Sequence, residues 1–266
     1  MPEGDVVWRT ARQLNAALAG RVLARSDFRV PRFAAADLTG RTVTAAVSRG
    51  KHLLIRTDDG QTVHSHLRMD GWWRIRPAAG PPPRDHRVRL VLGNDAWLAA
   101  GYLLAMVELL PTSQEDRLVG HLGPDLLGPD WDAAEAVRRL RLDPARPIGE
   151  ALLDQRNMAG IGNVYKCEVL FLRGISPWRP VSGIGDLEAL VGLARRLLAA
   201  NRDRDGHVTT GMMMRGAENW VYARRGRPCR RCGAPVRVAG QAARQRGDPQ
   251  ERVTFWCPRC QPDAGS

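Results

Sequence analysis

Cys229 and Cys232 form one C-x-x-C pair and Cys257 and Cys260 a second, with 24 residues between the pairs. Each short knuckle turns two thiolates toward a common point, and two knuckles complete a closed tetrahedral site for one structural Zn2+. The gap exceeds the common ribbon spacing, but the runs VRVAG and RVTFW inside it can pair as a hairpin that spans it. Four thiolates leave no open coordination position, so such a metal holds a fold and does not catalyse. Redox C-x-x-C motifs do not usually occur in pairs. The fifth cysteine, Cys167, falls inside a helical pattern and reads as a small buried hydrophobe.

A second group of chemistry-bearing residues is set apart by type. The chain carries 40 basic residues and a net charge of +12, yet every basic residue other than Lys51 and Lys166 is an arginine. Lysine is a compact charge that deprotonates when buried, whereas arginine stays charged, so either lysine can be needed as a lysine. The charge itself calls for a polyanion, because clustered cations gain affinity by releasing counterions from phosphates. Nine arginines, at 224, 225, 227, 230, 231, 237, 244, 246 and 252, crowd the cysteine segment and suit it to grip phosphates. In DQRNMAGIGNVY a helix breaks at AGIG and a new one begins at Asn163, whose amide can cap or donate to a phosphate beside amides loosened by Gly160 and Gly162.

The elements that must position these groups follow from periodicity. Val7, Ala11, Leu14 and Leu18 step by four, three and four, which predicts one amphipathic helix from about residue 4, capped by Asp5 and closed by Gly20. From 21 to 110 the pattern changes to short β-rich runs: RVLARSDFRV, RTVTAAVS, KHLLIRT, TVHSHLRMDGWWRI, HRVRLVL and AWLAAGYLLAMVELL. Asp59-Gly60 and Asn94-Asp95 fall where hairpin turns belong, GPPPRDH at 80–86 reads as a mobile loop, and the whole suggests an antiparallel sandwich or barrel. HLGPDLLGPDWD marks a boundary, after which WDAAEAVRRLRL, IGEALLDQ, GNVYKCEVLFLRG and DLEALVGLARRLLAANRD read as helices. Residues 202–220 form a loop in which Met212, Met213 and Met214 read as packing residues. The fold class is thus α+β with three domains, at 1–125, 126–220 and 221–266. No apolar run of about 18 residues and no secretory signal pattern occurs, so the expectation is a cytoplasmic protein without a membrane partner.

Four motifs in one order now carry a resemblance: PEG behind Met1, GKHLLI at 50–55 with SHLRMDG at 65–71, DQRNMAGIGNVY at 154–165, and a terminal four-cysteine finger ending RVTFWCPRCQ. The chain resembles the Fpg/Nei bifunctional DNA glycosylases over essentially its whole length, and its PEG start is more like the endonuclease VIII branch. The resemblance implies an N-terminal β-sandwich flanked by helices, a helical domain with a helix–two-turns–helix at 146–175, and a C-terminal zinc finger. It implies a monomer, bacterial and nucleoid-associated, that holds duplex DNA in a cleft and flips the damaged nucleotide out of the stack.

By the same resemblance Pro2, freed by removal of Met1, is the nucleophile. An α-amino group has a pKa of about 7.7–8.0 against about 10.4 for lysine, so far more of it is neutral at pH 7. A secondary amine condensed with deoxyribose C1′ gives an iminium with no nitrogen proton to lose, an electron sink that drives β- and then δ-elimination. Glu3 matches the acid/base that protonates the sugar ring oxygen, for which a raised pKa is expected. Lys51 matches the lysine that holds a phosphate near the lesion and assists elimination. His66, Asn163 and Arg252 match phosphate contacts, and Arg68 and Met69 fall in the loop that fills the gap left by the flipped base, Met69 as an apolar wedge. Two departures are plain: Asp5 replaces a proline of the family start, and Val6 stands in place of a second glutamate. The 202–220 loop lacks the aromatic lesion cap of many formamidopyrimidine enzymes, which favours oxidised pyrimidines. The alternatives are a formamidopyrimidine or 8-oxoguanine type of purine glycosylase, and a non-catalytic DNA-binding zinc-finger relative.

Overall fold

The computed structural model describes residues 2–245 and 248–263, with the backbone alone for 242–245 and 248–251. Met1, Arg246 and the Arg244 side chain lie outside the described residues. The chain divides into two compact units, residues 1–121 and 122–266. Among the described residues no helix is long and apolar enough to cross a membrane.

The first unit opens with helix α1 (Gly4–Leu18) and continues through eight strands: β1 (Arg25–Phe28), β2 (Val43–Arg49), β3 (His52–Thr57), β4 (Gln61–His66), β5 (Trp72–Pro77), β6 (Val88–Gly93), β7 (Trp97–Tyr102) and β8 (Met106–Pro111). A short helix α2 (Asp116–Val119) closes it. The strands form two antiparallel four-stranded sheets, ordered β1-β6-β7-β5 and β2-β3-β4-β8. Alternation explains which face is which. Leu53, Ile55 and Val63 enter the core with Leu14, Leu18, Leu90 and Leu92, while His52, His64 and His66 take the opposite face of β3 and β4.

Two long β-rich runs of the sequence are each broken into two strands. TVHSHLRMDGWWRI divides into β4 and β5 at residues 67–71, where Arg68 has φ 53° and Gly71 N–H donates to the Leu67 carbonyl at 2.9 Å. A Cβ at Gly71 would stand 2.6 Å from that carbonyl oxygen, so the turn needs glycine. AWLAAGYLLAMVELL divides into β7 and β8 at Leu103, with φ 46°. The 80–86 segment is irregular, but Arg76 donates to the carbonyls of Pro77, Ala79 and Pro81, and Arg29 to that of Pro83.

The second unit holds α3 (Ala133–Leu140), α4 (Ile148–Leu153), α5 (Asn163–Leu172) and α6 (Leu187–Asn201), then a hairpin of β9 (Arg237–Gln245) and β10 (Asp248–Trp256). Asp132 and Asp186 cap α3 and α6 through the amides of Glu135 and Ala189. Helix α5 is buried from Asn163 through Phe171 because it serves two cores. Tyr165, Val169 and Leu170 pack with Leu152, Leu190 and Val191, while Cys167 and Phe171 pack with Val221, Val236, Cys229 and Cys257. Cys167 is therefore the buried hydrophobe that its helical position suggested.

Candidate active site and metal centre

Helix α1 carries Pro2 and Glu3 at its start, and its register on β2 fixes where that start lies. Gly20 N–H donates to the Val43 carbonyl at 2.8 Å, and Asn15 Oδ1 accepts from the Ala46 amide at 2.9 Å. The helix therefore runs antiparallel to β2. From Asn15 back to Glu3 it rises about 18 Å, and from Ala46 forward to the tip of the 50–51 turn the strand advances about 13 Å. The amino end of α1 and the 50–51 turn thus reach the same end of the unit. Gly50, with φ 57°, makes that turn, and Lys51 stands directly before β3.

Glu3 is the N-cap residue of α1, extended at φ −117° and fully buried, and its carbonyl accepts from the Val7 amide. This corrects the expectation that Asp5 caps the helix. Asp5 is already inside the first turn, fully buried, with Oδ1 accepting from the Val6 amide at 2.9 Å. Pro2 is half-buried at the mouth of this turn.

His66 ends β4 and its Nδ1 accepts the Arg68 amide at 3.0 Å. Burial, followed by the cations of Lys51 and Arg68, pushes His66 down to about 3. The ring is accordingly neutral, and with Nδ1 occupied its proton sits on Nε2, a donor suited to a phosphate oxygen. Arg68 and Met69 project from the 67–71 turn, Met69 at 49% exposure.

In the second unit Asn163 is the first residue of α5, with Gly162 rather than Asn163 at the cap position. Its Nδ2 donates to the Val253 carbonyl at 2.8 Å, which brings it beside Arg252 on β10. Lys166, one turn further and fully buried, donates from Nζ to Thr254 Oγ1 at 2.6 Å. The two-turn segment ahead of α5 is stitched by Gln155, whose amide donates to the carbonyls of Leu153 and Ile161 and accepts from Gly160 N–H. Gly160, with φ 103°, supplies a backbone conformation that a side chain would strain. Glu168, fully buried, accepts from the Trp220, Val221 and Tyr222 amides and from the Thr209 hydroxyl, and so anchors the loop at 209–222. The methionines on that loop are not packing residues: Met212, Met213 and Met214 are 42%, 70% and 71% exposed.

The four thiolate sulfurs of Cys229, Cys232, Cys257 and Cys260 all lie within 4.8 Å of one another. Cys229 and Cys260 are 3.9 Å apart and Cys232 and Cys257 3.4 Å. Tetrahedral thiolates at about 2.3 Å from one ion are about 3.8 Å apart, so the cluster fits a single tetrahedral metal. Burial pushes the thiols of Cys257 and Cys260 up, so a bound cation must displace protons to be held.

The sequence profile of the formamidopyrimidine-DNA glycosylase N-terminal domain matches residues 1–101, and that of its H2TH domain matches residues 122–207. The protein called probable endonuclease 8 2 of Streptomyces coelicolor is 56% identical, over 98% of this chain and 94% of its own. The DNA-(apurinic or apyrimidinic site) lyase Nei2 of Mycolicibacterium smegmatis is 47% identical, over 98% of this chain and 99% of its own. The chain belongs to the Fpg/Nei family. Among solved structures, Lactococcus lactis formamidopyrimidine DNA glycosylase, non-covalently bound to DNA containing an AP site, superposes with a TM-score of 0.80 at 26% identity, covering 98% of this chain and 100% of that one.

For an Fpg/Nei chain, the sequence motifs led to Pro2, Glu3, Lys51, His66, Arg68 and Met69 in the first unit, and to Asn163, Arg252 and the cysteines in the second. They did not lead to the residues that hold these in place. Gln155 acts on neighbours two to six residues away, Glu168, His52, His64 and Glu108 act by partners more distant in sequence, and only the period-two spacing of His64 and His66 hinted that two imidazoles share one face.

Proposed function

We propose that this protein is a DNA glycosylase with abasic-site lyase activity that removes oxidised bases, chiefly pyrimidines, and cuts the strand by β,δ-elimination. The single observation that carries the reading is the convergence of the α1 start, with Pro2 and the buried Glu3, on the same end of the sandwich as the Gly50–Lys51 turn. The Pro2 nitrogen attacks C1′ as the glycosidic C1′–N bond breaks and the base departs with the proton of the amine; the C1′–O4′ bond then breaks as Glu3 protonates O4′, which opens the sugar and leaves the C1′=N+ iminium. The resulting iminium acidifies the C2′ hydrogen; its loss expels the 3′ phosphate, and a second elimination expels the 5′ phosphate. Glu3, withheld from water, delivers a proton to the ring oxygen and receives one back. Lys51 and the Nε2–H of His66 hold successive phosphates, and Arg68 and Met69 occupy the helix stack where the flipped base stood.

Asn163 and Arg252, neighbours through the Asn163–Val253 hydrogen bond, serve as phosphate contacts of the second unit. One zinc ion in the cysteine cluster holds the β9–β10 hairpin and, bound by four thiolates, supplies no chemistry to the sugar. Residues 221–266 act as a finger distinct in role from the helical segment at 126–220. Placement in the endonuclease 8 branch is supported by identities of 56% and 48% to proteins called endonuclease 8 2, and preference for oxidised pyrimidines by the absence of an aromatic lesion cap from the 202–220 loop.

The test is strand cutting with matched duplexes carrying thymine glycol, dihydrouracil, 8-oxoguanine or an abasic site. Cutting at the abasic site, and faster cutting at thymine glycol or dihydrouracil than at 8-oxoguanine, is expected. No cutting at an abasic site would refute the lyase, and preference for 8-oxoguanine would return the purine reading.

A further inference from the structure

The polar face of the β2-β3-β4-β8 sheet carries a ladder that the reaction as described does not use. His64 on β4 lies opposite Glu108 on β8, and His52 on β3 lies opposite His66 on β4. His64 Nδ1 is 3.0 Å from Glu108 Oε2, and His64 Nε2 is 2.9 Å from His52 Nδ1. The His52 and His64 rings stack at 5.1 Å, and the His66 ring meets His52 edge-on at 5.0 Å and 85°. His64 is fully buried.

The hydrogen-bond directions follow from the end of the chain. A carboxylate can only accept, so Glu108 takes the proton of His64 Nδ1. Neutral His64 then has a lone pair at Nε2, and His52 must donate to it from Nδ1. His52 Nε2 is left as an acceptor, while His66, with Nδ1 committed to the Arg68 amide, keeps a donor at Nε2. The tautomer of every ring is set by its neighbour. The charged and titratable groups facing His52 are His66, His64, His121 and Lys51, and those facing His64 are Glu108, Glu115, His52 and His66. His52 is bonded in sequence to Lys51 and paired across the strand with His66. Its ring thus meets that of His66 edge-on and feels the charge of Lys51, its neighbour in the chain.

We propose that Glu108, His64 and His52 form a positioning chain for elimination, in which a directional carboxylate–imidazole–imidazole series locks the His52 ring as the wall that sets Lys51 and His66 against successive phosphates. None of the three touches DNA; each acts through Lys51 and His66, so the inference rests on the phosphate-holding role assigned to those two. The chain works by holding geometry and moves no proton. A side chain that accepts at one end and donates at the other serves in place of His64 without being able to titrate. Glutamine is such a side chain; leucine fills the space and breaks the chain at both ends.

The experiment measures single-turnover elimination from pH 5.5 to 8.5 and abasic-duplex affinity for the wild type, His64→Leu and His64→Gln. His64→Leu is expected to slow elimination about tenfold, the worth of one positioning hydrogen bond, with affinity changed less than threefold. His64→Gln is expected to restore the rate to within about twofold of wild type across the whole pH range. A His64→Leu rate equal to wild type would overturn the proposal, and so would a His64→Gln rate as low as that of His64→Leu, since the chain would then be moving protons. Imidazole 15N spectra of the wild type give a readout that survives poor folding of either variant. Protonated Nδ1 in both His52 and His64, with protonated Nε2 in His66, is expected; the opposite tautomer in His52 would overturn the chain. Wild-type protein that neither binds nor cuts abasic DNA would instead refute the proposed function, leaving the spectra to decide the chain separately.

Discussion

The nitrogen of Pro2 can form a permanent cation with the sugar only as a free secondary amine. Pro2→Gly, or a chain that retains its methionine, presents a primary amine whose imine must first be protonated to act as an electron sink, and should therefore form the borohydride-trapped adduct with abasic DNA at least about tenfold more slowly, while duplex affinity stays within about threefold. Adduct formation at the wild-type level by either protein would remove Pro2 from the mechanism. Lys51 acts later. Lys51→Ala should leave base release and affinity little changed but slow elimination about a hundredfold, as loss of one charge aimed at a leaving phosphate does; rapid-quench strand cutting measures it. The sequence singles out Pro2 and Glu3 because they sit in a short motif behind Met1. The capping geometry was not legible there: Asp5 has the composition of an N-cap, but the chain enters the helix at Glu3, and Asp5 is used inside the first turn instead.

At the scale of elements, the β3–β4 ladder couples the active end to pH. Burial is the main cause that takes His52 down to about 2 and His66 to about 3, and it also lowers His64. These imidazoles are neutral when folded and protonate in the unfolded chain below its ordinary value of about 6.5. The folded state binds fewer protons, so the stability they contribute is fully present above that value and is lost as pH falls below it, for His66 until pH nears about 3. Denaturant unfolding at stepped pH should show this loss setting in below pH 6, well before carboxylates protonate; flat stability from pH 7 to 4.5 would contradict the neutral ladder. The 67–71 turn makes a separate prediction. Met69→Ala removes a side chain that is 49% exposed, so stability should change by less than about 0.5 kcal/mol while lesion cutting in duplex falls about tenfold. Helix α1 was legible from apolar spacing alone, since Val7, Ala11, Leu14 and Leu18 are all buried. The break at 67–71 was marked only by Asp70-Gly71 at its far end, and that at Leu103 by nothing, because positive φ at Arg68 and Leu103 is imposed by packing and hydrogen bonds on residues whose type does not announce it.

Over the whole molecule, the proposed function rests on the four-cysteine cluster, which can hold a metal, and on the net charge of +12. Removing the metal with a chelator, or Cys257→Ser, should release the hairpin, lower the first unfolding transition and weaken duplex binding by at least about tenfold, because Cys229 and Cys257 are part of the core that seats Phe171 of α5. Metal content and calorimetry check this together; full binding by metal-free protein would contradict it. The finger was legible at a distance because four cysteines at fixed spacing leave few alternatives. The exposure of Met212, Met213 and Met214 was not, since composition cannot tell an apolar loop tip from a packed one. The central claim, a covalent bond from Pro2 to the sugar, is tested most directly by trapping wild-type protein on an abasic duplex with borohydride, digesting it, and locating the sugar by tandem mass spectrometry. One modified peptide that begins at Pro2, with the added mass on its nitrogen, is predicted; the sugar on Lys51 or Lys166, or active protein that still carries Met1, would contradict it.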